Sequence, residues 1–296
     1  MLLCRPARPV VAAACEAAKR DGLVPAIITF DPHPREFFRQ EDNPFHLADR
    51  AEKDRLLSNL KVDRIIHVSF DESLRRTDAK DFVSAVLPAL GVKQLYAGAD
   101  FAFGRGRGGQ VDTINDYGAS VGIAAFSVPL LQDENSVVIS SSRIRAALQA
   151  GDPAAAAAML GRDWAVTGTV IKGDQRGRKI GFPTANITLE TLQQPAFGVY
   201  AVEVDVDDGQ ASPQRRAGGV ANIGVRPTFK KKDVLCEAHL FDSDCDLYGQ
   251  RLLVRLKAFL RPEQRFAGID ELLAQISTDA DDARRILSDS HLRQSG

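Results

Sequence analysis

Two kinds of patterning share this chain, and the switch between them limits what it can fold into. Up to about residue 128, helix-like stretches alternate with short strand-like runs. Residues 10–20 read as a helix closed by Asp21-Gly22, and 23–30 as a continuous apolar run. Residues 49–60, 79–90 and 111–118 read as helices, and 64–69, 94–97 and 123–128 as strands. Continuous apolar runs of this length suit strands covered on both faces, so the alternation predicts a doubly wound α/β domain. An alanine run at 154–158, between Gly151-Asp152-Pro153 and Leu160-Gly161, reads as a short helix leading into a linker. Strands then start near residues 165, 198, 218, 234 and 251, with no long helix until an amphipathic stretch from about 268. That pattern predicts a small antiparallel β-barrel with a C-terminal helix. The expected domains are 1–150 and 164–296, joined by a linker at 151–163.

Composition narrows the function. A chain of 296 residues has room for two cores. Its net charge of −1 leaves no basic excess for nucleic acid or an acidic membrane, which points to small-molecule substrates. Cys4, Cys15, Cys236 and Cys245 form no Cys-x-x-Cys pair and no zinc spacing with histidine, so they read as reduced. No apolar run approaches the roughly 20 residues that cross a bilayer. A cytoplasmic protein without membrane or nucleic-acid partners is expected; oligomeric state is not readable.

The chemistry concentrates at residues 173–187. Gly173, Gly177 and Gly181 can take positive φ and let backbone N–H groups approach phosphate oxygens, while Arg176, Arg178 and Lys179 add positive charge. Thr184 and Asn186 follow, two residues apart, so an extended segment points a hydroxyl and an amide oxygen to one face. Such neutral oxygens suit a hard cation that keeps most of its waters. Spacing alone fits a solvated turn and an ordinary strand equally well. There is no Walker A pattern.

Further motifs surround this loop in order: Gly168-Thr169-Val170, Phe197-Gly198-Val199-Tyr200, the run 219–229, Cys236-Glu237-Ala238-His239-Leu240 and Asp246-Leu247-Tyr248-Gly249. Together, from about residue 164 to about 287, they resemble the riboflavin kinase family. The resemblance implies ATP and riboflavin as substrates and FMN as product. It also implies Mg2+ held by Thr184 and Asn186, and Glu237 as the base facing the ribityl 5′-hydroxyl. ATP would be bound by Gly173, Gly177, Arg178, Lys179, Gly181 and Asn222, and flavin in part by Phe229. Transfer of a γ-phosphate to an alcohol needs in-line positioning, neutralised charge and a proton acceptor, which such a set can supply.

The first half is similar to the FMN adenylyltransferase domain of bifunctional prokaryotic FAD synthetases, a nucleotidylyltransferase fold. The matching pieces are Thr29-Phe30-Asp31-Pro32-His33-Pro34, the run 98–104 and Ile139-Ser140-Ser141-Ser142-Arg143-Ile144-Arg145. The resemblance implies that Ser141, Ser142 and Arg145 hold ATP phosphates at a helix N-terminus, that Asp100 and Phe101 contact flavin, and that FAD is the product. Without the flanking matches, the serines equally fit a simple N-cap. The family's opening Gly-x-Phe-Asp-Gly-x-His-x-Gly-His pattern is not in this sequence. Weak FAD formation and a gap in the parallel sheet are therefore expected. A front domain with only a structural role, or a flavin- or nucleic-acid-binding protein without turnover, are the alternatives. Gly104, Gly106 and Gly109 satisfy Gly-x-Gly-x-x-Gly but follow a turn instead of a strand, so a solvated mobile loop fits them better than a dinucleotide site.

Overall fold

A computed structural model describes residues 5, 7–38, 44–173, 177, 181–207, 214–227, 232–243 and 246–294. They form two compact units, Met1–Asp42 with Asp54–Ser140, and Asn43–Lys53 with Ser141–Gly296.

In the first unit, a helix at Ala7–Asp21 ends where Gly22 takes φ +66°, and the chain enters β1 at Ala26–Asp31. β1 pairs in parallel with β2 at Arg64–Ser69, and β3 at Gln94–Gly98 pairs in parallel with β4 at Ala124–Val128. The four strands and the helices between them follow the predicted α/β alternation, yet hydrogen bonding leaves two separate two-stranded sheets. Helix Ala7–Asp21 touches both: Val11 packs with Ile27 of β1 and Leu57, while Asp21 accepts a 2.7 Å hydrogen bond from Gln94 of β3. A core of Phe82, Val83, Leu87, Phe103, Val111 and Ile114 lies against β3 and β4. The helix expected at 79–90 is one α-helical run with a π turn over Phe82–Val86, where Leu87 N–H bonds back to Phe82; Pro88, without an N–H, follows at once. The glycine turn at 104–109 differs from the mobile loop expected. Arg105 N–H bonds Thr77 at 2.8 Å, Gly109 N–H bonds Phe103 at 3.0 Å, and Gly104 packs on the Ala79 backbone.

The second unit holds six antiparallel strands in the order β5-β10-β7-β8-β9-β6. They are β5 Ala165–Thr169, β6 Ala185–Thr188, β7 Gly198–Val206, β8 Gln214–Pro227, β9 Lys232–Leu240 and β10 Arg251–Pro262. β6, expected only as an extended segment carrying Thr184 and Asn186, is a strand of the sheet. It carries the sheet toward closure, because Ile171, just past β5, bonds Asn186 of β6 at 2.9 Å. The barrel interior takes Tyr200, Val202, Ala221, Ile223, Cys236, Ala238 and Ile187, all essentially inaccessible. The C-terminal helix, Ile269–Gln294, packs Ala280, Ala283 and Leu287 on the outer face against Val199, Ala201 and Val220. Apolar residues on both sides of β7 thus have a physical cause: one side fills the barrel and the other meets the helix.

The alanine run forms helix Pro153–Leu160. Asp152 caps it by accepting from Ala155 N–H at 2.8 Å, and Gly161 ends it in the left-handed region. With helix Ser141–Gln149 it groups with the barrel unit, so residues 141–160 pack where sequence placed a domain end and the start of a linker. The segment Asn43–Lys53 also joins this unit from far along the chain. His46 bridges Leu192, Trp164 Nε1 donates to Leu47 at 2.9 Å, and Asp49 accepts from Thr167 and from Arg251 at 2.7 and 2.5 Å.

Candidate active site

Strand register brings the kinase candidates together. Glu237 on β9 stands opposite Asn186 of β6 on one side and Asn222 of β8 on the other. Directly opposed residues in antiparallel strands share a face, with Cβ atoms about 5 Å apart, so an amide, a carboxylate and an amide form one row. Alternation along β9 sets the face: Cys236, Ala238 and Leu240 point inward and are buried, while Glu237 and His239 are half-buried on the outer side. Burial, with a smaller push from the Glu237 charge, raises the Cys236 thiol to about 12, leaving it a packing residue.

The glycine loop starts and ends at this row. Ile171 leaves from beside Asn186, and the chain returns through Pro183 and Thr184. Gly173 lies on the Asn186 side chain, where an added Cβ would stand 2.6 Å from Nδ2 and 3.0 Å from Oδ1. Gly177 lies 3.7 Å, by the same measure, from the Thr184 methyl group and is closed on Phe182 by a 2.8 Å backbone bond. Gly181 has φ +87°, which favours glycine. Asn186 donates its amide hydrogen to the Thr184 carbonyl at 3.3 Å, which leaves Oδ1 available as an acceptor. A hydroxyl and an amide oxygen against a glycine cradle fit a magnesium ion held largely by phosphate and water. Among the described residues no cluster of three or more His, Cys, Asp or Glu forms a metal cage. Arg178, Lys179 and Phe229 lie outside the described residues.

Sequence reasoning passed over His239. Two residues from Glu237 on the same face, it donates from Nδ1 to the Pro183 carbonyl at 2.9 Å, and its ring meets Phe182 and Phe241 edge-on. It therefore holds the returning end of the loop beside Thr184. The alternation of β9 was the available signal.

The other candidates fall elsewhere. Asp100 and Phe101 follow β3 in the first unit, with Phe101 stacked on Phe103 at 5.6 Å. Ser141 and Ser142 open helix Ser141–Gln149, and Arg145 donates from Nε to the Phe45 carbonyl at 2.8 Å, with its guanidinium over the Phe45 ring. All three group with the second unit.

Residues 160–287 match the family model described as riboflavin kinase, and residues 8–143 match the one described as FAD synthetase. The bifunctional riboflavin kinase/FMN adenylyltransferase of Escherichia coli K12 is 39% identical over 270 residues, 91% of this chain and 84% of that protein. The chain belongs to this bifunctional family. The member from Pseudomonas fluorescens is 38% identical across 93% of this chain and 86% of its own length, and the one from Bacillus subtilis 35% across 94% and 87%. A crystal structure described as a macrolide-efflux protein from Streptococcus pneumoniae shares the fold. It has a TM-score of 0.82 and 28% identity, over 95% of this chain and 90% of that one. No helix among the described residues of this family member is long and apolar enough to cross a membrane.

Proposed function

We propose that this chain phosphorylates riboflavin with ATP on the outer face of its barrel, and that its first unit serves as an FMN adenylyltransferase domain giving FAD. The observation that carries the kinase reading is the row Asn186, Glu237 and Asn222 beside the glycine loop. The half-buried Glu237 carboxylate accepts the proton of the ribityl 5′-hydroxyl as that oxygen attacks the γ-phosphorus. The backbone amides of Gly173, Gly177 and Gly181, with Arg178 and Lys179, bind the ATP phosphates, and Asn222 contributes a polar contact on the far side of Glu237. Thr184 and Asn186 would hold Mg2+, which neutralises phosphate charge when bound. A front domain with a purely structural role is less favoured because both family models match.

For the adenylyl step, Ser141, Ser142 and Arg145 are the proposed phosphate contacts and Asp100 and Phe101 the flavin contacts, while Phe229 is the proposed flavin contact of the kinase step. The free thiols of Cys15 and the buried Cys236, and the small-molecule substrates, support placing the chain in the cytoplasm. The test is chromatography of purified protein with riboflavin, ATP and magnesium. FMN is expected, and Glu237→Gln should lower turnover by roughly a hundredfold or more while riboflavin still binds. No FMN from the wild type defeats the kinase reading, and full turnover in the variant removes Glu237 from the proton transfer.

A further inference from the structure

β10 delivers a second carboxylate to the row. Its last pairs set Arg261 opposite Val199 and Pro262 opposite Gly198 of β7. There the two backbones touch: a Cβ on Gly198 would collide with the Arg261 carbonyl and stand 2.9 Å from Pro262 Cα. Crossing so closely is open only to a residue without a side chain. From the other side, Asp279 of the C-terminal helix grips Arg261, with Nε at 3.0 Å and the outer nitrogen at 2.8 Å. Asp279 is buried and receives a further 2.9 Å bond from Gln275. The chain leaving β10 is thus held above and below, and Glu263 comes next.

Glu263 is carried over β7 onto β8. Its carboxylate lies on Gly224, where any Cβ would collide with Oε1, and Oε1 accepts from Asn222 Nδ2 at 3.3 Å. Asn222 and Gly224 are two apart on one strand and so share the outer face with Glu237. A carboxylate only accepts, so it takes the NH2 group of Asn222 and leaves the amide oxygen turned away from it.

We propose that Glu263 is a positioning residue for the kinase reaction: it fixes the Asn222 amide so that its oxygen accepts from a hydroxyl of the bound polyol, the ribityl chain of riboflavin or the ribose of ATP. This rests on the kinase reading above. Glu263→Ala should raise KM for one of the two substrates by about tenfold, with a smaller change in kcat, as expected for one hydrogen bond. The substrate whose KM moves identifies the hydroxyls. Glu263→Gln keeps an acceptor oxygen and should stay within about threefold of wild type. Gly224→Ala, which displaces the carboxylate, should reproduce the KM shift. Because Glu263 acts through Asn222, the double variant Asn222→Ala/Glu263→Ala should be no worse than Asn222→Ala alone. Wild-type KM values in Glu263→Ala, or additive losses in the double variant, overturn the proposal. Wild-type protein is assayed alongside: if it makes FMN and Glu263→Ala is unchanged, only the role of Glu263 falls, whereas absence of FMN from the wild type removes the kinase reading beneath it.

Discussion

Gly173→Ala should damage the site without unfolding the protein. The new Cβ would stand 2.6 Å from Nδ2, 2.8 Å from Cγ and 3.0 Å from Oδ1 of Asn186. Carbon contacts relax near 3.5 Å or beyond, so the amide must move by roughly 0.7–0.9 Å. Asn186 has little freedom to do so. It is 5% exposed, its backbone is tied to Ile171 at 2.9 Å, and it stands opposite Glu237 in the ladder. The displacement therefore falls on the side-chain oxygen proposed as a magnesium ligand. A shift approaching 1 Å at a reacting centre costs on the order of a hundredfold in rate. We expect kcat/KM for FMN formation to fall by about ten- to a hundredfold and the magnesium concentration at half-maximal rate to rise. Gly249→Ala is the matched control: Gly249 has φ +75° but no atom within 4 Å of an added Cβ. That change strains the backbone by about 1–2 kcal/mol and should leave the magnesium curve in place. Magnesium titrations of FMN formation on both variants, with melting curves to confirm folding, are the assay. A folded Gly173→Ala protein with wild-type turnover and magnesium dependence would refute the reasoning.

Another expectation concerns Asp49, in the segment that joins the barrel unit from far along the chain. Asp49→Ala removes the acceptor for Arg251, Thr167 and the Glu52 amide, which should cost about 2–3 kcal/mol. The urea midpoint should drop by about 1 M, read from Trp164, the chain's one tryptophan. Burial pushes the Asp49 carboxyl up, but hydrogen bonds from Arg251, the Glu52 amide and Thr167 outweigh it and hold the group below its ordinary value. The stability it contributes is complete above the unfolded carboxylate pKa of about 4 and is lost as pH falls through the lower folded value. Wild type and variant should therefore converge below about pH 4, and a stability gap that widens in acid would contradict the assignment.

What the sequence determined by itself is local or modular. Apolar periodicity placed most helices and strands of both units, and Asp152, Pro153 and Gly161 marked the ends of the alanine helix because caps are chosen by neighbouring residues. The resemblance to the family was carried by several short motifs in order, from Gly168-Thr169-Val170 to Asp246-Leu247-Tyr248-Gly249, which are legible without knowledge of the fold. What tertiary structure decided depends on residues far apart in the chain. No pattern near residue 49 announces that Asn43–Lys53 crosses to the barrel, where Asp49 meets Arg251 across 202 positions. Nor does anything near residue 263 announce a carboxylate seated on Gly224: that follows from β10 crossing β7 at Gly198 while Asp279 holds Arg261. The split of the parallel sheet into two pairs is likewise a fact of pairing. Hydrogen bonds between strands and ion pairs between distant elements are set by which segments meet, and a linear sequence states only what each segment can bring to the meeting.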